Sequence, residues 1–297
     1  MVTVSVPGKV ILMGDHAVVY GKPALIAAVN MRLRATVSGS DRPEIIAVEG
    51  TEYIKHILAA VCKHFQINNT PPLRIEISSD IPIGYHLGSS AALGAALVGA
   101  LSYHLKRIWN PTRINQLAYE SEKFIHINSS GVDPAAVVSG GLIWYRKELD
   151  FLRSIWQLPF KIPVALNHFY LIDTGRPKES TGDMVSFVAK QKNLKQFLYE
   201  NEVQTKCLAT ALKKGDEKTF IDAMQKGERS LEAIGVVSKK VVPIIRNIEK
   251  QGGAAKILGG GGRAGGVGYL LCYSHNPPQE NIPIILGEEG IRLEKTS

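Results

Sequence analysis

Apolar positions in the first third of the chain run in short blocks or alternate, rather than recurring at helical steps. VTVSV (2–6), PALIAAV (23–29) and RLRATVSG (32–39) are rich in β-branched and aliphatic residues and read as strands, and EIIAVE follows behind a proline. The period then changes. Ile54, Ile57, Leu58, Val61, Cys62 and Phe65 recur at three- and four-residue steps, which predicts a helix with Thr51 as its cap. LRIEIS (73–78) alternates as a strand. Two helices follow, from about Ser89 to Lys106 and from about Pro111 to His126, the second with proline in its first turn and Asn110 as its cap. GGLIWYR (140–146) and NHFYLIDT (167–174) return to the strand pattern. Between them FLRSIWQLPFKIPVA (151–165) is proline-punctuated and poorly periodic, and reads as a seam between two halves.

Residues 180–251 read as helices broken near Gly215 and Gly235. AAKIL (254–258) and VGYLLCY (267–273) read as strands on either side of a glycine-rich turn. Strands and helices mix without strict βαβ alternation, so the expected class is α+β, with one domain over residues 1–160 and another over 161–297.

The chain has 297 residues, 45% hydrophobic and 21% charged, an ordinary balance for a folded globular protein. No run is apolar for the length of a membrane span, and MVTVSVPGKV lacks the layout of a signal peptide. Cys62, Cys207 and Cys272 are odd in number and far apart, which favours reduced thiols and a cytoplasmic setting over a disulfide frame or a zinc site. The net charge of +8 is scattered, with no long basic run and no aromatic-basic alternation. It points to a solvated basic surface or a small polyanionic substrate rather than to nucleic acid.

Three glycine-marked segments carry the candidate chemistry. In PGKVILMGDHAVVYG, Pro-Gly and Gly14 suggest two turns, with Lys9 at a strand edge and Asp15 and His16 exposed. In IPIGYHLGSSAAL, Gly84, Gly88, Ser89 and Ser90 stand at a helix start. The open N–H groups there attract anions, and a serine hydroxyl can reach a metal. The loop lacks the lysine of a Walker A sequence and the GxGxxG spacing of a dinucleotide turn. In KILGGGGRAGGVGY the glycines exceed what a hairpin needs, which implies backbone pressed against something. Glu122 on the preceding helix and Asp133 beyond it add two carboxylates of the kind that magnesium and phosphoryl transfer require.

PGKVILMGDHAVVYG, IPIGYHLGSSAAL, HINSSGVD and KILGGGG, in this order, resemble the motif set of the GHMP small-molecule kinases, the mevalonate kinases among them most, and LEAIGVVS (231–238) extends the likeness. The resemblance implies a two-lobed α+β fold, an ATP-binding N-terminal half and an active site in the cleft between the halves. It also implies transfer of the γ-phosphate of ATP, with Mg2+, to the 5-hydroxyl of mevalonate. By motif position, Lys9 and Asp133 are then catalytic. Gly84, His86, Gly88, Ser89, Ser90 and Ala91 hold the nucleotide, and Ser90 and Glu122 the metal. Lys9, Asp15, His16, Asp133 and Thr181 meet the substrate.

Several positions depart from the family pattern. Asp15 replaces a glutamate, and Tyr85-His86 replaces small residues, with His86 expected to donate to a phosphate oxygen and Tyr85 to pack on the nucleotide. Ser129 replaces a proline, and Arg263-Ala264 interrupts the last glycines, where Arg263 either meets an anionic group or decorates the turn. Phosphomevalonate kinase is the nearest alternative, and His16 argues against it because that group carries tyrosine there. Lys9 argues against the related decarboxylases. Neither nucleic acid nor membrane is an expected partner, and a homodimer is left open.

Overall fold

Pro7 and Gly8 do not turn the chain. In the computed structural model, which describes residues 1–125, 130–149 and 151–296, they lie inside one strand, β1 (Val2–Met13), whose antiparallel pairing with β2 (Ala24–Gly39) shifts register between them. A bulge is where a strand tolerates proline, and Lys9 follows it directly. PALIAAV and RLRATVSG likewise form the single strand β2. Its second half pairs with β4 (Leu73–Ser79), which carries the short β3 (Glu44–Ile46) in parallel. Its first half pairs with β5 (Leu142–Lys147).

The expected seam contains a strand, β6 (Arg153–Gln157), antiparallel to β5 with Trp144 opposite Trp156. It sits at the sheet edge, half-exposed on both faces, so it shows no alternation for a sequence to reveal. The final strand, β11 (Arg292–Thr296), returns to pair with β1, so a segment of the expected second domain completes the first sheet.

α2 (Ser89–Lys106) and α4 (Val132–Ser139) lie on this sheet, and α1 (Thr51–His64) and α3 (Pro111–Glu122) pack against α2. Thr51 begins α1 but does not cap it; the cap position is Gly50, with φ 84° and no side-chain bond. Every residue of α2 from Ala91 to Ser102 is buried, as a helix at the centre of a core must be. Asn110 caps α3 by accepting from the Arg113 N–H at 3.0 Å. The helix ends at Glu122, short of the expected end near His126, and residues 123–125 form a turn; His126 itself and Ser129 lie outside the described residues. The turn of α4 around Asp133 is not predicted by the sequence pattern, since the helix spans only eight residues and has proline at its third position.

The second half holds β7 (Phe169–Asp173), α5 (Thr181–Val188), α6 (Leu194–Lys214), α7 (Glu217–Ala233), α8 (Val242–Lys250), β8 (Ala254–Ile257), β9 (Tyr269–Tyr273) and β10 (Ile282–Pro283). Its strands form a separate sheet in the order β10-β7-β9-β8. The class is α+β, as expected. One buried apolar cluster runs through both halves, from Val4, Leu12 and Leu97 to Leu208, Phe220 and Tyr273. The α7 backbone presses against the end of β1: a Cβ on Gly227 would fall 2.2 Å from Met13 Cε. This contact brings Glu228 toward the segment that follows β1. No helix among the described residues is long and apolar enough to cross a membrane, and Cys62, Cys207 and Cys272 are free thiols.

Candidate active site

Lys9 leaves β1 just after the bulge. Its N–H donates to the Leu87 carbonyl at 2.9 Å, fastening the glycine loop to the strand. Gly88 is left-handed, with φ 78°, and a Cβ there would lie 2.9 Å from Lys9 Cγ, so the lysine stem passes directly beneath the loop. Lys9 Nζ then meets Asp133 Oδ1 at 3.0 Å. Asp133 occupies the first turn of α4, after a left-handed Gly131, at the positive end of the helix dipole.

The glycine loop ends in the N-terminus of α2. Gly88 is its cap residue, and no side chain caps it, so neither Ser89 nor Ser90 is consumed in holding the helix start. The first-turn N–H groups stay available to an anion. A Cβ on Gly94 would lie 3.8 Å from Ala118 Cβ, which fixes where α2 and α3 touch. The two helices are joined by only four residues, 107–110, and so run antiparallel. One turn back from Gly94 is Ser90, and one turn on from Ala118 is Glu122; helical geometry therefore puts them opposite each other.

Glu122 is 3% exposed. A serine hydroxyl and one buried carboxylate suit magnesium, which binds through one or two carboxylates plus substrate phosphates rather than in a cage of protein ligands. No group of three His, Cys, Asp or Glu side chains gathers into a metal cluster among the described residues.

Asp15 and His16 are buried, not exposed, at 0% and 6%. The turn at Gly14 tucks them against the second half, because two of its groups need them. Asp15 Oδ2 pairs with Lys256 Nζ at 2.6 Å, and its Oδ1 accepts the Gly259 N–H at 2.8 Å. Lys256 also donates to the Ile11 carbonyl at 3.1 Å. Asp15 is thus engaged by its own chain, and it reaches the site by fixing the glycine turn. His16 Nε2 lies 3.1 Å from the Gly260 carbonyl. A carbonyl only accepts, so Nε2 carries the proton. Burial holds the His16 imidazole below its ordinary pKa and so neutral, against the opposing pull of Gly260 and Asp15.

Thr181 joins this group, for a Cβ on Gly260 would lie 3.3 Å from its Cα and 3.6 Å from its Oγ1. Ser180 caps α5 in a reciprocal box with Asp183, which occupies its hydroxyl and leaves that of Thr181 outside the cap.

The structure therefore gathers Lys9, Asp133 and the α2 N-terminus in one place, with His16, Gly260 and Thr181 in another. His86 links them: its imidazole feels Lys9 and Asp133 as well as Asp15 and His16. Tyr85 packs on Tyr269, with ring centroids 4.6 Å apart and planes tilted by 35°, so the ring expected against the nucleotide is held by the second half. Arg263 decorates its turn, with its guanidinium 4.1 Å over the Phe187 ring.

Sequence reasoning missed three further groups. Lys256 and Glu228 are wholly buried beside Asp15, and Glu228 accepts the Ile257 N–H at 3.0 Å while burial pushes its carboxyl up to about 8. Arg176 lays its guanidinium on Gly84, where a Cβ would fall 2.8 Å from Nε. A single lysine in a strand pattern or a single glutamate on a helix gives no sign of burial. The one available signal for Lys256 was its place directly before the last glycine motif.

Residues 52–141 match the model of the GHMP kinases N terminal domain. The mevalonate kinase of Archaeoglobus fulgidus is 32% identical over 298 residues, covering 98% of this chain and 99% of that protein. That of Pyrococcus furiosus is 29% identical over 345 residues, covering 99% and 98%. The fold superimposes on the Methanococcus jannaschii mevalonate kinase with a TM-score of 0.77 at 23% identity, covering 96% of this chain and 90% of that one. It superimposes on an L. major mevalonate kinase in complex with R-mevalonate with a TM-score of 0.74 at 23% identity, covering 92% and 86%. With a relative this similar along nearly its whole length, the chain belongs to the GHMP kinases, and within them to the mevalonate kinase family.

Proposed function

We propose that the chain transfers the γ-phosphoryl group of Mg-ATP to the 5-hydroxyl of mevalonate. The observation that carries this reading is the Lys9–Asp133 pair lying beside the uncapped N-terminus of α2. Asp133 accepts or orients the proton of the attacking hydroxyl. Lys9 pairs with that carboxylate at 3.0 Å and offsets charge on the attacking oxygen. Backbone N–H groups of Gly88, Ser89, Ser90 and Ala91 receive the phosphates, with Gly84 and His86 completing the loop.

Ser90 and Glu122 would hold the magnesium ion, which neutralises phosphate charge when bound. His16 and Thr181 face the substrate, and Asp15 positions both through the glycine turn. The work is then orientation and charge neutralisation, with no covalent enzyme intermediate. In this reading residues 1–160, completed by β11, form the nucleotide-binding lobe, and the remainder forms the substrate lobe. The free cysteines suit a reducing cytoplasm.

The test is ATP-dependent phosphorylation of a panel containing mevalonate, phosphomevalonate, galactose and homoserine. Turnover with mevalonate well above the rest supports the proposal. Preference for phosphomevalonate moves the assignment to its nearest alternative, and no turnover with any of the four removes it.

A further inference from the structure

His86 stands where the family pattern has a small residue, and the structure shows what the imidazole does there. Its backbone is left-handed, with φ 63°, one of four non-glycine residues in that region among those described. Such a conformation costs about 1 kcal/mol or more in a residue with a Cβ, so something must hold it. The hold comes from the opposite half. A Cβ on Gly259 would fall 2.8–2.9 Å from Cγ, Cβ and Nδ1 of His86, and a Cβ on Gly268 would lie 3.5 Å from its Cδ2. The ring is thus seated between two glycines of the last motif. Beside it, the tilted Tyr85–Tyr269 ring contact fastens the same dipeptide to β9.

The polar end of the ring is not used by this cradle. Nε2 is covered and has no hydrogen-bond partner. The charged groups that act on the ring are Lys9 first, then Asp133 and Asp15, with His16 beyond. Burial, reinforced by Lys9, holds the imidazole neutral, with a pKa pushed down to about 4. A neutral imidazole keeps one N–H donor, does not compete with Lys9 for Asp133, and suits an anionic oxygen arriving between the loop and the Lys9–Asp133 pair.

We propose that His86 is a further catalytic residue, whose Nε2–H donates a hydrogen bond to a non-bridging oxygen of the γ-phosphoryl group during its transfer. No proton leaves the ring; the bond neutralises charge on the transferring group. The proposal rests on the kinase reading above but specifies which phosphate His86 meets. The glycines at 259 and 268 leave the room in which the ring sits.

The experiment compares wild type with His86→Phe, which fills the cradle without an N–H, and His86→Gln, which restores a donor near the Nε2 position. Affinities for ADP and for the non-hydrolysable AMP-PNP are measured beside kcat with mevalonate. Expected for His86→Phe is a loss of about 10- to 100-fold in kcat, the size of a hydrogen bond to a charged acceptor. AMP-PNP affinity should weaken while ADP affinity stays within about twofold, and His86→Gln should recover part of both losses.

Equal losses for ADP and AMP-PNP would reduce His86 to a loop-shaping residue, and wild-type behaviour of His86→Phe would remove it from the chemistry. Should His86→Phe fail to fold, His86→Gly takes its place with the same expectations, since glycine adopts the left-handed backbone freely. If wild type phosphorylates none of the panel, the kinase reading fails on its own, and the ADP against AMP-PNP comparison still decides what His86 touches.

Discussion

Lys9 and Asp133 form a lopsided pair: their charged atoms are 3.0 Å apart, yet the lysine side chain is 3% exposed and the aspartate 28%. The ammonium is sealed beneath the glycine loop, and the carboxylate faces the open side, where a hydroxyl can reach it. A purely structural pair would gain nothing from that asymmetry.

Asp133→Asn keeps an oxygen for Lys9 to donate to, so the fold should survive with a near-normal melting temperature. The general-base contribution is lost, and kcat should drop by about 10^2–10^4-fold. Steady-state kinetics alongside a circular-dichroism melt check both halves of this statement. Near-normal turnover would dismiss Asp133 as the catalytic carboxylate.

Lys256→Met should be among the most damaging single changes in the molecule. It leaves Asp15 fully buried without its counter-ion, which costs about 3–5 kcal/mol. Asp15→Asn added to Lys256→Met removes the orphaned charge yet retains an acceptor for the Gly259 N–H, and should recover much of the loss. Denaturant melts of the single and double variants measure the coupling. Activity is expected to stay low in the double variant, because His16 and Gly260 depend on the turn that the pair fixes.

That buried pair also marks how far the sequence was legible. The α+β class, the helices at Ser89 and Pro111, the Asn110 cap and the breaks at Gly215 and Gly235 follow from periodicity and from glycine and proline chemistry, which act locally. Lys9, Ser90, Glu122 and Asp133 were picked out as candidates through ordered motifs. What stayed hidden is set by contacts between distant segments. Asp15 and His16 sit on a turn that would be exposed in isolation, and they are covered only because β8 and the last glycine motif close over them. The Pro7-Gly8 pair signals a turn locally, yet strand pairing on both sides converts it to a bulge. Arg176 and Lys256 look like any other basic side chains until the second half folds against the first.

Glu228 should give the protein a pH-dependent stability with a definite sign. Its folded carboxyl is pushed from 4.5 up to about 8, mainly by burial, so the fold prefers the protonated form. Its contribution is fully present below about pH 4.5, and is lost as the pH climbs to 8. His16 and His86 shift the other way, and their effect is lost as the pH falls below 6.5. Between pH 6.5 and 8 the Glu228 slope is therefore the one left among these groups, and the melting temperature should fall across that window. Glu228→Gln, which keeps an acceptor for the Ile257 N–H, should flatten the slope. An unchanged slope would show that the carboxyl is already ionised in the folded protein.

The magnesium requirement should report on the facing of α2 and α3. Ser90 and Glu122 stand opposite each other because α2 and α3 touch where Gly94 faces Ala118, and because the helices are antiparallel. If they share one ion with the phosphates, Ser90→Ala and Glu122→Gln should each raise the Mg2+ concentration giving half-maximal activity, by about tenfold or more, since such a site has few protein ligands to begin with. The double variant should fall short of the product of the two effects, because residues that share one partner do not act independently. Melting temperatures of the same four proteins separate loss of metal from loss of fold. A Mg2+ titration of kcat for the four proteins decides the matter. Full additivity would place the two side chains at separate sites, and a Mg2+ dependence untouched by either change would take them out of metal binding altogether.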